Sequence, residues 1–258
     1  MSKPTLIFAP GAWYPSSAFD PLIAKLAPHG YTCQTVSFPS IQQATEIKDL
    51  TADINAVRAL VEPAVNAGQD VIIISHSWSG LPVNSALEGL SRTERQREGK
   101  QGGVTKLIFI SAFLPDVGES LIGAFGGVPP EWYVMNEENA TVTAADPFTL
   151  FFHDVPDGRE WAKTLRPHAW ATKNSPATRT AYVDIPAAYL LCEDDRAIPL
   201  FVQELMVEKA RGKGASFETE KIKTAHTPWL VVPDQVADVC IKSFMNAKNQ
   251  PSRSKSPS

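Results

Sequence analysis

Short apolar runs alternate with amphipathic stretches along most of the chain. Apolar runs, continuous or alternating, predict β-strands over residues 5–9, 31–38, 71–74, 104–111, 187–191 and 216–222. Apolar residues at helical spacing predict helices over residues 18–28, 46–67, 79–90 and 236–245. Because helical segments separate the strands, the pattern predicts βαβ units and a mostly parallel sheet of about six strands. Continuously apolar strands are typical of a sheet with helices on both faces. The fold class is therefore α/β.

Residues 116–185 interrupt this alternation. The stretch is rich in proline, glycine and aromatic residues and shows no clear strand. We interpret it as a mainly helical lid inserted into an α/β core that consists of residues 1–115 and 186–247. Residues 248–258 are of low complexity, and we expect them to be a disordered tail. Residues 92–103 are charged and contain glycine, which predicts a solvated loop.

Composition limits the classes of protein and of partner. The chain has 258 residues, of which 43% are hydrophobic and 20% charged, and such a composition is typical of a globular protein with a sizeable core. The formal net charge of −4, with no basic stripe, argues against a nucleic-acid partner. The three cysteines are far apart, and the Cys/His clusters of zinc sites are missing. We expect no metal site and no cofactor.

The start of the chain and the lengths of its apolar runs bear on location. The first residues lead directly into a predicted strand and show no signal-peptide pattern. No apolar run reaches the length that a bilayer requires. We expect a cytoplasmic protein that does not bind a membrane and whose partner is a small-molecule substrate. Whether the protein forms a homodimer stays open.

The strongest chemical signal lies at residues 70–80, Asp-Val-Ile-Ile-Ile-Ser-His-Ser-Trp-Ser-Gly. A buried strand runs into small-x-Ser-x-small and then into an apolar helix, which is the order of a nucleophile elbow around Ser77. The usual glycines are replaced by Ser75 and Ser79, from which we expect a strained or widened turn and crowding near the reacting oxygen. The alternative interpretation is an ordinary helix N-cap, because serine is a favoured cap residue.

An acid and a histidine follow in the order that a serine triad requires. Asp195 comes directly after the strand at 187–191, where Glu193 and Asp194 compete with it; the Ala-Ile-Pro that follows favours Asp195. His226 follows the last predicted strand. The carboxyl ends of parallel strands share one edge of the sheet, so Ser77, Asp195 and His226 should converge there. His226 would accept the proton of Ser77, and Asp195 would orient the imidazole.

A glycine-containing loop after the first strand supplies a candidate oxyanion hole. Pro10-Gly-Ala-Trp13 follows the strand at 5–9, and we assign the backbone N–H groups of Ala12 and Trp78 to the hole. The alternative is an ordinary strand-to-helix turn. The candidate substrate pocket consists of aromatic residues, namely Trp13, Trp132, Phe152 and Trp170. For the lid histidines His153 and His168 we expect a structural or solvent-exposed role.

These motifs resemble the α/β-hydrolase superfamily, in particular its small single-domain branch with plant methyl-ester esterases and hydroxynitrile lyases. The matching segments are residues 8–13, 75–80, 113–116, 191–199 and 225–229. The resemblance implies the α/β-hydrolase fold.

The chain also departs from the superfamily's motifs. It has Pro10 where the family commonly has histidine, so the supporting contacts of the oxyanion loop should differ. Thr227 stands where hydroxynitrile lyases carry a lysine, which argues against cyanohydrin cleavage. Ser77 stands where haloalkane dehalogenases and epoxide hydrolases of the superfamily carry aspartate, which argues against both activities.

Three functions fit this pattern. The first is a serine hydrolase that cleaves an ester, or a related acyl or C–C bond, of a small apolar molecule through an acyl-enzyme. The second is a non-hydrolytic lyase or cyclase that uses His226 as a general base in the same pocket. The third is a ligand receptor on a hydrolase fold. The motifs favour the hydrolase and leave its substrate open.

Overall fold

The computed structural model describes residues 3–249, with side chains described through residue 245. Within this part of the chain there are nine strands: β1 (Thr5–Ala9), β2 (Thr32–Thr35), β3 (Asp70–His76), β4 (Gly103–Ile110), β5 (Tyr133–Asn136), β6 (Thr141–Ala144), β7 (His168–Ala169), β8 (Ala187–Cys192) and β9 (Phe217–Ile222).

The same part of the chain contains thirteen α-helices. They are α1 (Asp20–Leu26), α2 (Pro39–Gln42), α3 (Thr51–Asn66), α4 (Gly80–Ala86), α5 (Arg92–Arg97), α6 (Leu121–Ala124), α7 (Pro147–Phe151), α8 (Gly158–Thr164), α9 (Ala171–Asn174), α10 (Ala181–Asp184), α11 (Leu200–Gly212), α12 (Pro228–Val231) and α13 (Pro233–Asn249). Short 3₁₀ turns are formed by Ser16–Phe19, Ala27–His29 and Ser77–Ser79. None of the described helices combines the length and the apolar character that a membrane span needs.

A six-stranded sheet forms the centre of the molecule. Its strand order is β2-β1-β3-β4-β8-β9, and all neighbouring pairs are parallel. The six strands expected from the sequence are thus confirmed, although β2 is shorter than the predicted 31–38. Because every strand runs the same way, the loops that follow their carboxyl ends meet at one edge.

Both faces of this sheet are covered, as continuously apolar strands require. Ile7 and Ile73 belong to one buried cluster together with residues of α3, α4 and α11. Leu6 and Ile72 belong to a second cluster together with residues of α1, α12 and α13. Successive strand residues point to opposite faces, so the continuous apolar strands bury one layer on each side.

The inserted segment, residues 116–185, differs from its expected architecture. The sequence showed no clear strand there, but β5, β6 and β7 form a small antiparallel sheet. Five short helices, α6 to α10, accompany it. Its strands are short and β5 is largely exposed, so the alternation of apolar and polar residues that reveals longer strands is weak. Leu121, Val142 and Tyr182 join the first buried cluster, so the segment packs directly on the core.

Residues 92–103 were expected to form a solvated loop; residues 98–101 are an exposed connection, but the expectation is wrong for residues 92–97. Arg92–Arg97 forms helix α5, which begins with a capping box in which Ser91 and Glu94 satisfy each other's backbone N–H groups. The charged Arg95 is buried and donates to the backbone carbonyls of Val65, Gln101 and Gly102. Because Nε and Nη2 of Arg95 donate to backbone carbonyls, this charged residue lies inside the protein.

Two boundaries also differ from the sequence analysis. Helix α3 begins at Thr51, several residues after the predicted start at residue 46. Helix α13 extends to Asn249, and residues 250–258 of the expected disordered tail lie outside the described residues.

Gly80 fixes the distance between helix α4 and the loop after β4. A Cβ atom at Gly80 would lie 1.9 Å from the carbonyl oxygen of Phe113, so the backbone itself would have to move. We expect Gly80→Ala to lower the free energy of unfolding by about 1–3 kcal/mol, as overpacking does. Urea denaturation measures it.

Gly212 provides the matched control, because it lies at the end of α11 and a Cβ there would meet nothing within 4 Å. Gly212→Ala should leave stability unchanged or raise it by up to about 1 kcal/mol through helix propensity. Equal effects of the two substitutions would contradict the steric argument.

Candidate active site

Ser77 sits at a sharp turn between β3 and α4. Its φ angle is +54°, in the left-handed region that non-glycine residues seldom adopt. The backbone of the turn is also held from the side, since the Phe113 N–H donates to the Ser77 carbonyl at 3.1 Å. This strand–turn–helix arrangement is the geometry expected of a nucleophile elbow.

The two serines that replace the usual glycines brace this turn. The Ser75 and Ser79 hydroxyl oxygens lie 2.9 Å apart. Ser79 Oγ also accepts from the His76 N–H at 3.0 Å and lies 2.8 Å from the Ala9 carbonyl oxygen, to which it donates. Neither serine lines the cavity at Ser77, so the expected crowding near the reacting oxygen is wrong. The Ser79 hydroxyl instead satisfies buried backbone groups of β1 and β3.

The loop after β1 approaches the elbow closely. A Cβ at Gly11 would lie 2.7 Å from His76 Nδ1 and 3.0 Å from the Ser77 Cβ, so only glycine fits. Trp13, in the same loop, has a φ angle of +73°. Its indole N–H donates to the Val142 carbonyl at 2.8 Å, and its own carbonyl accepts from the Arg166 N–H at 2.9 Å. The inserted segment therefore supplies the supporting contacts of this loop.

Asp195 is the acid that meets His226. His226 Nδ1 lies 2.7 Å from Asp195 Oδ2, and both side chains are buried. The other oxygen, Oδ1, accepts from the N–H groups of Ala197 and Ile198 at 2.7 and 3.0 Å. The competing acids Glu193 and Asp194 are exposed. A carboxylate that receives Nδ1–H leaves Nε2 of the imidazole free to accept a proton.

Ser111, which the sequence analysis did not single out, also holds Asp195. Its hydroxyl donates to Asp195 Oδ2, and its φ angle is +39°. The residue directly follows β4, at the same edge of the sheet as the other site residues. Its position after a strand is the signal that could have identified it.

His76 packs behind His226. The His76 Nε2 and the His226 carbonyl oxygen are 3.0 Å apart, and the two rings are 4.4 Å apart. Burial, and then the nearby His226, hold the pKa of His76 well below its usual value. His76 is therefore a neutral imidazole whose Nε2–H donates to this carbonyl, and it fixes the backbone that carries His226.

The serine and the histidine are not hydrogen-bonded to each other in this structure. Among the described residues, the imidazole of His226 has its hydrogen bond to Asp195, and none joins it to the Ser77 hydroxyl. Contacts between a nucleophile and its base are often long without substrate and shorten when the substrate binds. His226 and Asp195 are thus paired in this structure, and the contact between His226 and Ser77 is not formed.

A cavity of about 20 Å³ lies beside Ser77, Ala12 and Trp78. Of the aromatic residues expected in the pocket, Trp13 and Trp132 line it. Phe152 and Trp170 do not: Phe152 is fully buried against Tyr14 and Phe151, and Trp170 contacts Tyr133. The other lining residues are Phe113, Leu121, Phe125, Tyr133, Phe151, Ala197 and Ile198.

The cavity wall is thus apolar and largely aromatic. The sequence indicated an aromatic inserted segment but not which rings turn inwards, because that depends on how the short helices pack. Within the described residues, no group of three or more His, Cys, Asp or Glu side chains could hold a metal ion.

The brace at the elbow can be tested with single substitutions. Ser79→Ala leaves the buried His76 N–H without its acceptor, and we expect a loss of about 1–3 kcal/mol in unfolding free energy. Ser75→Ala removes a hydroxyl whose described side-chain contact is Ser79, and should cost at most about 1 kcal/mol. Thermal and urea unfolding measure both. A larger loss for Ser75→Ala would contradict the assigned order.

Comparison with known proteins agrees with this architecture. Residues 6–239 match the model of the alpha/beta hydrolase family. The chain is 31% identical over 241 residues to alpha/beta hydrolase nvfD of Aspergillus novofumigatus, a match that covers 92% of this chain and 94% of the relative. It is 22% identical over 252 residues to methylesterase 1 of Arabidopsis thaliana, covering 89% of each.

A solved structure extends this agreement to the fold. A crystal structure of a tomato methylketone synthase I variant complexed with β-ketoheptanoate superimposes with a TM-score of 0.76 at 15% identity, covering 96% of this chain and 100% of that one. The fold class and the family resemblance expected from the sequence are confirmed. The chain belongs to the α/β-hydrolase family.

Proposed function

We propose that the protein is a serine hydrolase that cleaves an ester of a small apolar molecule, with Ser77, His226 and Asp195 as its catalytic triad. The observation that carries the proposal is the buried His226–Asp195 pair at the edge of the sheet where the strained Ser77 turn borders a cavity. A carboxylesterase-like activity is supported by a relative named methylesterase 1.

The proposed reaction proceeds through an acyl-enzyme. The Ser77 oxygen attacks the carbonyl carbon while His226 Nε2 accepts the hydroxyl proton, and Asp195 stabilises the imidazolium that results. The N–H groups of Ala12 and Trp78, which border the cavity, bind the negative oxygen of the tetrahedral intermediate. The leaving alcohol takes the proton from His226, and water then releases the acid by the same steps.

The inserted segment, residues 116–185, is proposed to be the lid of this site, with residues 1–115 and 186–247 as the core. Trp132, Tyr133 and Phe151 cover the cavity from this segment. A cavity of about 20 Å³ holds little more than one water-sized group. In this arrangement it admits a group no larger than the carbonyl itself, and acyl chains require the aromatic cover to move.

A second candidate is a lyase or cyclase that uses His226 as a general base. Two observations favour it: the missing hydrogen bond between Ser77 and His226, and the structural likeness to a methylketone synthase complexed with β-ketoheptanoate. In this chemistry Nε2 of His226 would abstract a proton from the substrate directly, and the Ser77 hydroxyl would only line the pocket.

Covalent labelling with a fluorophosphonate distinguishes the two candidates. We expect the wild type to be labelled at Ser77, Ser77→Ala to lose labelling and hydrolysis of p-nitrophenyl acetate, and His226→Ala to slow both by about 10²-fold or more. Ser17→Ala, which changes an exposed serine, is the control and should behave like the wild type.

Two results would contradict the hydrolase proposal. One is a wild type that is not labelled, or is labelled as strongly after Ser77→Ala. The other is consumption of β-ketoheptanoate that survives Ser77→Ala and is lost in His226→Ala, which would establish the second candidate.

Phe113 separates two cavities and is expected to set the accepted chain length. Its ring lines the cavity beside Ser77 and also a larger one, of about 140 Å³, between the loop after β4 and helix α11. Removing the ring in Phe113→Ala should join them. Each methylene buried there contributes about 0.8 kcal/mol, so the ratio of kcat/KM for hexanoyl over acetyl p-nitrophenyl esters should rise at least tenfold.

Phe201→Ala is the control, because Phe201 is 69% exposed on α11 and lines neither cavity. Phe113→Leu serves if the alanine variant is unstable, since a Phe→Ala change in a core costs about 3–5 kcal/mol. An unchanged chain-length ratio in a folded Phe113 variant would rule out this role.

A further inference from the structure

A row of buried polar side chains lies outside the triad. We call it the buried polar cluster: Asp53 on α3, Ser40 on α2, His168 on β7 and Lys173 on α9. All four residues have no exposed surface. A lysine and an aspartate are almost never fully buried unless they are paired. Two of the four come from the core and two from the inserted segment, so the cluster joins these parts.

Hydrogen bonds connect the four side chains in a single row. Lys173 Nζ lies 2.7 Å from His168 Nδ1, and His168 Nε2 lies 2.8 Å from Ser40 Oγ. At the far end, the Ser40 backbone N–H donates to Asp53 Oδ1 at 3.0 Å. Charge at one end of the row is therefore connected to charge at the other.

The donors and acceptors fit one direction when Lys173 is protonated. An ammonium group only donates, so His168 Nδ1 accepts from it and the imidazole is neutral with its proton on Nε2. That N–H donates to Ser40 Oγ, and the backbone N–H of Ser40 donates to Asp53 Oδ1. The row then carries +1 on Lys173 and −1 on Asp53, whose other oxygen, Oδ2, is buried and has no hydrogen-bond partner among the described residues.

The pKa directions agree with a row whose two ends depend on each other. Burial raises the pKa of Asp53 to about 6, and hydrogen bonds from Ser40 and the charge of Lys173 oppose the rise. Burial lowers the pKa of Lys173, and the charge of Asp53 opposes that shift. Burial and the Lys173 charge hold the pKa of His168 well below its usual value, which keeps the imidazole neutral.

The cationic end of the row touches the two loops of the proposed oxyanion hole. Lys173 Nζ lies 5.0 Å from the ring centroid of Trp13 and 4.7 Å from that of Trp78. Both distances are within the range of a cation–π interaction, which is stronger when the cation is desolvated. Trp13 directly follows Ala12, and Trp78 itself carries the second proposed amide. One ammonium group therefore contacts both sides of the hole.

The orientation of Trp78 depends on these contacts. Its indole N–H is buried and has no hydrogen-bond partner among the described residues. Its ring is instead held by the Lys173 ammonium, by the edge of His168 at 4.4 Å and by Phe38 at 5.2 Å. Trp13, in contrast, has its indole N–H fixed by the Val142 carbonyl. Lys173 thus contacts both the Trp13 ring, which a hydrogen bond fixes, and the Trp78 ring, whose N–H has no hydrogen bond among the described residues.

We propose that Lys173 is a positioning residue for the oxyanion hole, whose ammonium group holds the loops of Trp13 and Trp78 together and is balanced by Asp53 through His168 and Ser40. This inference rests on the proposed function, because it assigns an effect on acylation of Ser77. Lys173 touches neither the substrate nor Ser77, and it acts through the two indoles.

Lys173→Met is the direct test, because methionine keeps the volume and removes the charge. We expect the second-order rate of fluorophosphonate labelling at Ser77 to fall at least tenfold. With p-nitrophenyl acetate, kcat should fall by a similar factor while KM stays within twofold, since the pocket wall is retained. Lys163→Met, which changes an exposed lysine of the same segment, is the control and should label like the wild type.

A double-mutant cycle separates this role from ordinary packing. Asp53→Asn removes the balancing charge, so it should slow labelling as Lys173→Met does, and the double variant should be no slower than Lys173→Met alone. The proposal would be overturned if the losses of the two single variants multiplied in the double variant. It would also be overturned if a folded Lys173→Met were labelled at a rate within twofold of the wild type. If Lys173→Met does not fold, Ser40→Ala decides by the same twofold criterion.

Failure of the proposed function gives a different result from failure of this inference. A wild type that is not labelled refutes the hydrolase, whatever the variants do. The cation over the two indoles is then tested by tryptophan emission, which should shift in Lys173→Met and not in Lys163→Met. Identical emission spectra of the two variants would overturn the positioning role.

Discussion

Backbone strain at one edge of the sheet is the constraint on which the site depends. Trp13, Ser77 and Ser111 have positive φ angles, and they follow β1, β3 and β4, three adjacent strands. Each such residue costs about 1–3 kcal/mol and persists only where its surroundings hold it in place. The surroundings here are specific. Gly11 allows the first loop to touch the elbow, and Gly80 allows α4 to touch Phe113. The loops that follow β1, β3 and β4 all begin at one rigid edge of the parallel sheet.

Asp195 and His226 are also held in place by several contacts each. Asp195 receives four hydrogen bonds, from two backbone amides, from the Ser111 hydroxyl and from His226. Four donors fix the orientation of this carboxylate against the imidazole. His76 holds the carbonyl of His226 from behind. His226 is therefore fixed by its ring and by its backbone; in the proposed reaction, the step left to substrate binding is the approach of His226 to Ser77.

The features of the fold and the candidate site that have local sequence signals could be predicted, and those that depend on long-range contacts could not. The strand, the serine and the following helix are contiguous in residues 70–86, so the elbow was predictable, as were an acid and a histidine after later strands. Helix α5 also has a local signal, the Ser91–Glu94 capping box, but its run of charged residues is equally typical of a solvated loop. The small sheet of β5 to β7 and the inward orientation of the aromatic rings depend on packing between short elements. The spacing of apolar residues along the sequence does not predict such packing.

The buried polar cluster could not be predicted for the same reason. Its position beside Trp13 and Trp78 supports the proposed positioning role. Asp53 and Lys173 are 120 positions apart, and each is a charged residue of a kind that is common on helix surfaces. The local sequence therefore does not indicate that either is buried. Replacing a buried ion pair by apolar residues of similar volume is often neutral or stabilising. Stability alone therefore does not explain a lysine, a histidine and an aspartate inside this fold. What distinguishes the cluster from an apolar filling is a directed charge against Trp13 and Trp78. The inserted segment thus contributes to the geometry of the site through its interior as well as through the rings that cover the cavity.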